Sequence, residues 1–423
     1  MPRSTGTYEK TSAAGEDVRA FVPHPLPPAK PALKMAGSLT SLHQKAESGL
    51  AALEAAGRMV PSLDWFVYSF VRKEAVISSQ IEGTQASLDD LLAMEAEAPV
   101  DAPPEHVEEI CNYLEALKYA RGQLGRDKGL PLSVRLLNGA HKRLMTGVRG
   151  QHKQPGRIRT SQNWIGGTRP GNARFVPPPP HRVADLLGDL ENYLHADTGL
   201  PPLVRAGLVH AQFETIHPYL DGNGRVGRLL IALCLEEWGL LGEPLLYLSL
   251  FFKRHRDEYY TRLGAIRTDG DWEGWTAYFL EGVEVIAGEA AELIRSLFEV
   301  TTRDRVAYLD SRGATVVGAR LFEMLPRNPL VTTKWVVKAC DTTPPTATKA
   351  IESLCTAGIL KEISGRRRDR VYAYREYLDL LKEGTELESQ DNGLRFPRNP
   401  FKFCWWSQGG SNPWPHDSQP SAP

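Results

Sequence analysis

The stretch of sequence that decides this fold is HPYLDGNGRVGR, residues 217–228. Two glycines flank Asn223, and glycine lets the backbone take a positive φ and approach a ligand closely. The apolar run that follows, Val226–Leu235, predicts a helix that begins at these glycines. Backbone N–H groups at a helix N-terminus are unpaired and carry partial positive charge, so the stretch predicts an anion-binding turn.

Four charged or titratable side chains accompany that turn, and each suits a nucleoside triphosphate. Arg225 and Arg228 lie about one helical turn apart, so both guanidinium groups can face the same phosphates. Asp221 offers a carboxylate that can hold a hard divalent cation between phosphates. His217 can accept a proton near neutral pH.

The stretch resembles the signature of the Fic family, His-Pro-Phe-x-Asp/Glu-Gly-Asn-Gly-Arg-x-x-Arg, and departs from it only where Tyr219 stands for Phe. The resemblance extends to a flap at Arg159–Pro179 and to an upstream segment at Ser78–Gly83. It covers roughly the middle two-thirds of the chain. It implies a mainly α fold, in which a Fic-type helical core carries a β-hairpin flap.

The resemblance implies that the chain transfers AMP from Mg-ATP to a Ser, Thr or Tyr hydroxyl of a target protein, which can be the chain itself. His217 is then the base that removes the hydroxyl proton, and Asp221 holds Mg²⁺. Asn223 and the glycine N–H groups hold the α-phosphate, and Arg228 fixes the terminal phosphate. The full set implied to bind the nucleotide is Gly222, Asn223, Gly224, Arg225, Arg228 and Tyr259.

The upstream segment suggests how such an activity is restrained. A Glu followed by Gly at a helix end is by itself an ordinary C-cap. In the Fic family, Ser/Thr-x-x-x-Glu-Gly marks an inhibitory helix, here Ser78, Glu82 and Gly83. The resemblance implies that Glu82 pairs with Arg228 and occupies the place of the γ-phosphate.

The flap is predicted from residue types as well as from the resemblance. Two β-prone runs, residues 157–165 and 173–176, flank a turn rich in Gly, Pro and Asn. An unpaired strand edge can bind an extended peptide as an added strand. The resemblance assigns target docking to this flap, with Ile165, Phe175 and Val176 as its contact residues.

Other interpretations of the signature glycines fit less well. Gly222-x-Gly224-x-x-Gly227 is formally a dinucleotide-binding fingerprint, but that motif follows a strand, and residues 203–216 have helical spacing. A calcium loop fails because Arg225 falls where a third oxygen ligand belongs. The same fold could transfer another nucleotide, a phosphate or phosphocholine, or could remove AMP. A third alternative is a DNA-binding regulator whose core senses nucleotide.

Composition sets looser bounds. The chain has 423 residues and a formal net charge of -1, so nothing global favours nucleic acid or an anionic membrane. Its five cysteines are scattered without metal-ligand spacing, which fits a reducing cytoplasm. No apolar run approaches the length of a membrane span. We therefore expect a cytoplasmic protein without a membrane partner.

The chain divides into five predicted regions. Residues 1–34 are rich in Pro, Ser and Thr and are expected to be mobile. Residues 35–104 form a helical region that carries the inhibitory helix, and residues 105–300 form the Fic core. Residues 301–382 resemble a winged helix, and residues 383–423 are expected to be disordered.

The winged-helix-like region leaves its partner open. Its predicted hairpin has a basic turn at Gly365–Arg370, and Thr346, Thr348 and Lys349 begin the preceding helix. These residues could contact DNA, with the arginines on phosphates. The region could equally form a homodimer or dock a protein.

Overall fold

The computed structural model describes residues 3–60, 62–124, 129–148 and 150–387. The expected mainly helical class is confirmed, and the helices fall where apolar periodicity predicted them. The helices before the C-terminal region are α1 (Ser38–Met59), α2 (Leu63–Ile81), α3 (Leu88–Glu95), α4 (Pro104–Gln123), α5 (Val134–Leu144), α6 (Pro180–His195), α7 (Pro202–Ile216), α8 (Asn223–Glu237), α9 (Ser249–Arg254), α10 (Arg256–Asp269) and α11 (Trp272–Leu309).

Helix α7 is the centre of the core. Nearly all of its side chains are buried, because α6, α8 and α11 pack around it. The indole of Trp275 on α11 donates to the Gly207 carbonyl over 2.8 Å, and a Cβ at Gly207 would lie 2.9 Å from the Phe279 ring. The C-terminus of α7 and the N-terminus of α8 therefore meet at a fixed place.

The N-terminal segment was expected to be mobile, but it forms regular structure. Strands β1 (Gly6–Ala13) and β2 (Glu16–Pro23) form an antiparallel hairpin. Its two-residue turn has positive φ at both Ala14 and Gly15, the geometry that matches strand twist. The Pro, Ser and Thr content of residues 1–34 concealed the apolar residues of β2, of which Val18, Ala20, Phe21 and Val22 are buried. Arg3 fastens the segment to α11 through Glu273 at 2.7 Å.

The flap has less regular structure than predicted. It contains a single antiparallel bridge, Ile165 to Phe175, instead of two paired strands. The preceding residues cannot extend the pairing because Gln162 and Asn163 are buried and donate to carbonyls at Pro177 and Tyr219. The N-terminal hairpin covers the outer side of the flap, where the Phe21 N–H donates to the Val176 carbonyl over 2.9 Å.

The C-terminal region consists of short helices around a three-stranded sheet. Its elements are α12 (Val316–Met324), β3 (Leu330–Thr332), α13 (Thr333–Ala339), α14 (Pro344–Thr356), β4 (Leu360–Glu362), β5 (Val371–Tyr374) and α15 (Arg375–Leu381), with strand order β3-β5-β4. The predicted boundary at residue 300 needs correction, because α11 runs without a break to Leu309.

The predicted tail begins later than expected. Residues 383–387 pack against α2 and α9, where the Gln80 amide donates to the Thr385 carbonyl over 2.8 Å and the Lys253 ammonium donates to the Glu386 carbonyl over 2.7 Å. The rest of the tail, residues 388–423, lies outside the described residues. In the part of the chain that the structure describes, no helix combines the length and the apolarity needed to cross a membrane.

Phe21→Ala tests whether the N-terminal hairpin supports the flap. Phe21 is buried and its ring lies 6.5 Å from the Phe175 ring. Removing a buried Phe side chain costs about 3–5 kcal/mol, and here it removes a ring that packs against both Tyr8 of the hairpin and Phe175 of the flap. We expect limited proteolysis within residues 166–172 to accelerate at least roughly tenfold. Val316→Ala, which shortens an exposed apolar side chain of the C-terminal region, is the control, and equal cleavage of both variants would contradict the role of Phe21.

Candidate functional site

A cleft of about 860 Å³ opens where α7 ends and α8 begins. Its walls come from the end of α2, the flap, the α7–α8 turn and α10. The side chains and glycines that line it include Glu82, Gly83, Ile165, Phe175, Glu214, His217, Asp221, Gly222, Asn223, Gly224, Arg225, Arg228, Tyr259, Tyr260 and Arg267. The structure thus brings most of the predicted site residues into one cavity large enough for a nucleotide.

The α7–α8 turn begins with a left-handed residue. His217 has φ 50° and ψ 62°, a conformation that costs a non-glycine residue on the order of 1 kcal/mol. The Asn223 side chain stabilises the turn, because its Oδ1 accepts from the Tyr219 N–H and its Nδ2 donates to the Tyr219 carbonyl, both over 2.8 Å. Both ends of this amide therefore stabilise the turn, and phosphate binding by the second N–H of its Nδ2 stays a prediction.

Tyr219, the one departure from the family signature, has a local explanation. Its ring stacks on His141 with centroids 3.8 Å apart, and its hydroxyl donates to Asn138 Oδ1 over 2.9 Å. His141 Nδ1 accepts from the Gly156 N–H, so its Nε2 carries the proton and donates to the Asp221 carbonyl over 2.9 Å. The extra hydroxyl therefore gains a partner without disturbing the turn.

The N-terminus of α8 is built to receive an anion. Gly222 is its N-cap with φ 76°, and no side chain caps the helix. Beside it, Arg225 is almost fully buried, yet its Nε and Nη1 have no hydrogen-bond partner among the described residues. Its Nη2 contacts Met145 Sδ at 3.7 Å and lies 3.9 Å from Asp221 Oδ1, but two buried donors left without an acceptor are costly. Phosphate oxygens bound at this helix N-terminus would satisfy both donors.

Arg228 contacts the end of α2. Its Nε donates to Ser78 Oγ over 2.8 Å, and its Nη2 donates to the Ser78 carbonyl over 2.9 Å and to Glu82 Oε1 over 2.7 Å. A Cβ at Gly224 would overlap Glu82 Oε1, so this carboxylate also lies against the first turn of α8. Glu82 therefore holds a negative charge where a phosphate could bind.

Two buried carboxyl groups in the cleft, Glu82 and Glu214, have shifted pKa values. Burial alone would raise the pKa of Glu82, but the facing Arg228 outweighs burial and holds that pKa below its ordinary value. Burial raises the pKa of Glu214 to about 7. A Cβ at Gly227 would overlap Glu214 Oε1, so the position of this carboxylate leaves no room for a side chain at residue 227.

His217 is neutral at physiological pH. Burial, followed by the positive charge of Arg159, lowers its pKa to about 3, while a hydrogen bond to the Glu214 backbone partly opposes this. The imidazole is thus unprotonated and able to accept a proton. This pKa is far below the value near neutral pH at which a histidine is an efficient base. The negative charge of a phosphate bound in the cleft is expected to raise the pKa of His217.

Asp221 is better suited to bind Mg²⁺ than a metal ion that takes all of its ligands from protein side chains. Its carboxylate lies beside Arg225 and accepts from the Gly222 N–H over 2.6 Å. Within residues 3–387, apart from the undescribed positions, no three His, Cys, Asp or Glu side chains form a metal-binding group. Mg²⁺ is commonly held by one or two carboxylates together with substrate phosphates, so a single Asp221 fits it.

Two predicted site residues, Tyr259 and Val176, make contacts that the sequence did not predict. Tyr259 lines the cleft, but its hydroxyl bonds His210 Nε2 at 2.9 Å inside the core. Ile165 and Phe175 line the cleft, whereas Val176 packs with Ala13, Val18 and Trp164 under the N-terminal hairpin.

Sequence reasoning missed three residues of the site. Glu214 precedes His217 by three positions on the same helix, a spacing that could have indicated it. Arg267 stacks on the Phe175 ring at 3.9 Å, and Arg159 is buried beneath the turn. No local pattern could have placed these two arginines, because their partners are distant in sequence.

Family models match two segments of the chain. Residues 40–122 match the model "Fic/DOC family N-terminal", and residues 131–235, which include the turn and α8, match "Fic/DOC family". These two segments are therefore similar in sequence to the Fic/DOC family. The first covers α1–α4 with Ser78 and Glu82, and the second covers α5–α8 with the flap and the signature.

Two curated relatives are named as protein adenylyltransferases. The chain is 32% identical over 183 residues to a probable protein adenylyltransferase of Aquifex aeolicus, which covers 42% of this chain and 52% of the relative. It is 28% identical over 222 residues to the protein adenylyltransferase Fic of Culex quinquefasciatus, which covers 50% of this chain and 41% of that protein. The matched region thus spans about half or less of the length of these relatives.

A solved structure shares the fold. The crystal structure of a Fic family protein from Desulfovibrio desulfuricans G20 superposes with a TM-score of 0.51 at 20% identity. The match covers 81% of this chain and 97% of the other. At this identity the similarity shows the fold alone.

Glu82→Gln tests the ion pair through its pH dependence. Because the pKa of Glu82 is lowered in the folded chain, its ionised form stabilises the fold above the ordinary carboxyl range, and this stabilisation is lost as pH falls through the folded pKa. We therefore expect wild type to lose more free energy of unfolding than Glu82→Gln as pH falls from about 6, above the ordinary carboxyl range, to about 3 or below, where the folded-state carboxyl also gains its proton. Urea denaturation at each pH measures this, and equal losses would show that Glu82 is not paired in solution.

Proposed function

We propose that this chain is a protein adenylyltransferase that moves AMP from Mg-ATP to a Ser, Thr or Tyr hydroxyl of a target protein. The observation that carries the proposal is Arg225, which lines the cleft in the uncapped first turn of α8, four residues after Asp221, with its buried Nε and Nη1 unpartnered among the described residues. The neutral imidazole of His217 lies in the same cleft. The names of the relatives support the same activity.

The reaction follows from these groups. The α-phosphate of ATP binds at the backbone N–H groups of residues 223–225 and at the Arg225 guanidinium. Arg228 binds the terminal phosphate once Glu82 has moved aside. His217 takes the proton of the target hydroxyl, whose oxygen forms a bond to the α-phosphorus. The bond between the α-phosphorus and the bridging oxygen breaks in line, and pyrophosphate leaves.

A divalent cation supports that transfer. Asp221 would hold Mg²⁺ against the phosphates, where the ion neutralises charge that develops on the leaving pyrophosphate. The protein's own contribution is positioning and fixed positive charge, which account for most of the catalysis in phosphoryl-type transfers.

The contact between Glu82 and Arg228 supports autoinhibition. The carboxylate uses the guanidinium that the γ-phosphate needs and also lies over Gly224. A triphosphate cannot take its productive position while Glu82 remains there. The chain would therefore have low activity until α2 releases this side chain, and Ser78 holds Arg228 in place from the preceding turn.

Glu82→Gly and His217→Ala test the proposed function together. With Mg²⁺ and ATP labelled on the α-phosphate, we expect Glu82→Gly to label itself or added protein at least roughly tenfold faster than wild type, since removing the competing carboxylate frees Arg228. His217→Ala introduced into Glu82→Gly is expected to abolish labelling. Glu95→Gly, which removes an arginine-paired carboxylate outside the cleft, is the matched control.

The label position separates the enzymatic alternatives. Label from ATP carrying the γ-phosphate isotope would show phosphate transfer and contradict AMP transfer. Loss of preformed AMP from a modified protein would show the reverse reaction. Absence of label from either ATP, with nucleotide binding intact, would favour another nucleotide donor or phosphocholine.

The C-terminal region supports a second candidate function, DNA binding. Its helix order and its strand order β3-β5-β4 are those of a winged helix, and we propose that fold for it. The residues between β4 and β5 from Gly365 to Arg370 are exposed, as are Thr346, Thr348 and Lys349 at the start of α14. A duplex could therefore meet the helix and the basic turn together.

A gel shift with the full chain tests that candidate. We expect alanine at Arg366, Arg367, Arg368 and Arg370 to weaken DNA binding and to reduce its salt dependence, since each lost phosphate contact lowers the slope by about one. Arg303→Ala, which removes an α11 arginine that pairs with Glu376 on α15 and is not part of the basic turn, is the control. If wild type does not bind duplex DNA at low salt, the region serves a protein contact or a homodimer instead.

A further inference from the structure

Arg159 is a buried cation for which the proposed reaction has no direct use. Its side chain is almost fully buried, and the structure records no ion pair for it with a carboxylate among the described residues. Every hydrogen bond recorded for its guanidinium goes to a backbone carbonyl. Burying a charge without a counter-ion is costly, and burial lowers the pKa of Arg159 to about 9.

The carbonyls that Arg159 contacts belong to two segments, the α7–α8 turn and the flap. On the α7–α8 turn, its Nε donates to the His217 carbonyl over 2.9 Å, its Nη2 reaches the Ile216 carbonyl at 3.4 Å, and its backbone N–H donates to the Pro218 carbonyl over 2.9 Å. Three successive carbonyls of the strained turn thus converge on one residue.

The other contacts lie on the flap. Arg159 begins the flap, and its Nη2 donates to the carbonyl of Pro178 at the end of the flap over 2.6 Å. Its Nη1 donates to the Ser161 carbonyl over 3.3 Å. A single guanidinium therefore joins both ends of the flap to the turn that carries His217.

We propose that Arg159 is a positioning residue that fixes the flap, and with it a docked target hydroxyl, at a set distance from the imidazole of His217. A left-handed residue persists only where its surroundings hold it, and Arg159 supplies much of that restraint. The inference rests on the proposed function, because it assigns the flap to the target and His217 to the proton.

Lysine cannot replace arginine in this role. The guanidinium presents donors in a rigid fork that reaches carbonyls lying in different directions, whereas an ammonium group is a single point at the end of a flexible stem. Arg159→Lys therefore retains the charge and loses the connection, and Arg159→Met loses both. Arg169→Met is the matched control, because Arg169 is an exposed flap residue that pairs with Glu16.

The first test separates positioning from nucleotide binding. In the Glu82→Gly chain, we expect Arg159→Met to lower the rate of AMP transfer on the order of 100-fold while the Kd for Mg-ATP changes less than about threefold, since a misplacement near 1 Å costs about that much in rate. Arg159→Lys should lose most of the same rate, and Arg169→Met should match its parent. Full transfer by either Arg159 variant would overturn the proposal, as would an equal loss of ATP affinity.

The second test needs no transfer activity. Arg159, Glu82 and Arg267 are the charged groups that act on the His217 ring, and Arg159 is the largest of the three influences. NMR titration of ¹⁵N-labelled histidine should show a higher pKa for His217 in Arg159→Met than in Arg169→Met, with Arg159→Lys closer to wild type. If Glu82→Gly transfers nothing, the proposed function fails, and an unchanged His217 pKa in Arg159→Met would separately overturn the contact proposed here.

Discussion

The buried guanidinium of Arg228 is the charge on which the rest of the cleft depends. It lies at the first turns of α8, next to the end of α2, and Ser78 and Glu82 satisfy its donors. Burying it without an anion would be strongly unfavourable, so some negative group must always face it. In the structure that group is Glu82, and in the proposed reaction it is a phosphate. The exchange between the two couples the position of α2 to the state of the active site.

That exchange matters only if the base and the target are already in place. His217 is held in a left-handed conformation by the Asn223 amide within the turn and by Arg159 beneath it. The flap is braced from outside by the N-terminal hairpin, with Phe21 against Phe175. The turn and the flap are thus fixed by contacts independent of Glu82. Release of one carboxylate would then activate a site whose other parts need no rearrangement, which suits a regulated transferase.

The local pattern of the signature was predicted well, whereas contacts between distant residues were predicted only where the family resemblance supplied them. The glycines and arginines of residues 217–228 indicated an anion site at a helix N-terminus, and the structure places them there. The family resemblance led to the contact between Glu82 and Arg228, 146 residues apart, which no periodicity implies. Asn223 was assigned to a phosphate because its nearest neighbours are phosphate-binding, and its amide also closes the turn on Tyr219. Residues 6–23 were predicted mobile from composition, although they pair as an antiparallel hairpin around a two-residue turn, with the apolar residues of the second strand buried.

Competition between Glu82 and the terminal phosphate is the central claim, and nucleotide affinity measures it most directly. Calorimetric titration of wild type and Glu82→Gly with Mg-ATP and with AMP compares a ligand that needs Arg228 with one that does not. The account predicts that Glu82→Gly tightens ATP binding by roughly tenfold or more and leaves AMP binding unchanged. An equal change for both nucleotides, or no change for ATP, would contradict it, because Glu82 would then not occupy the site of the γ-phosphate.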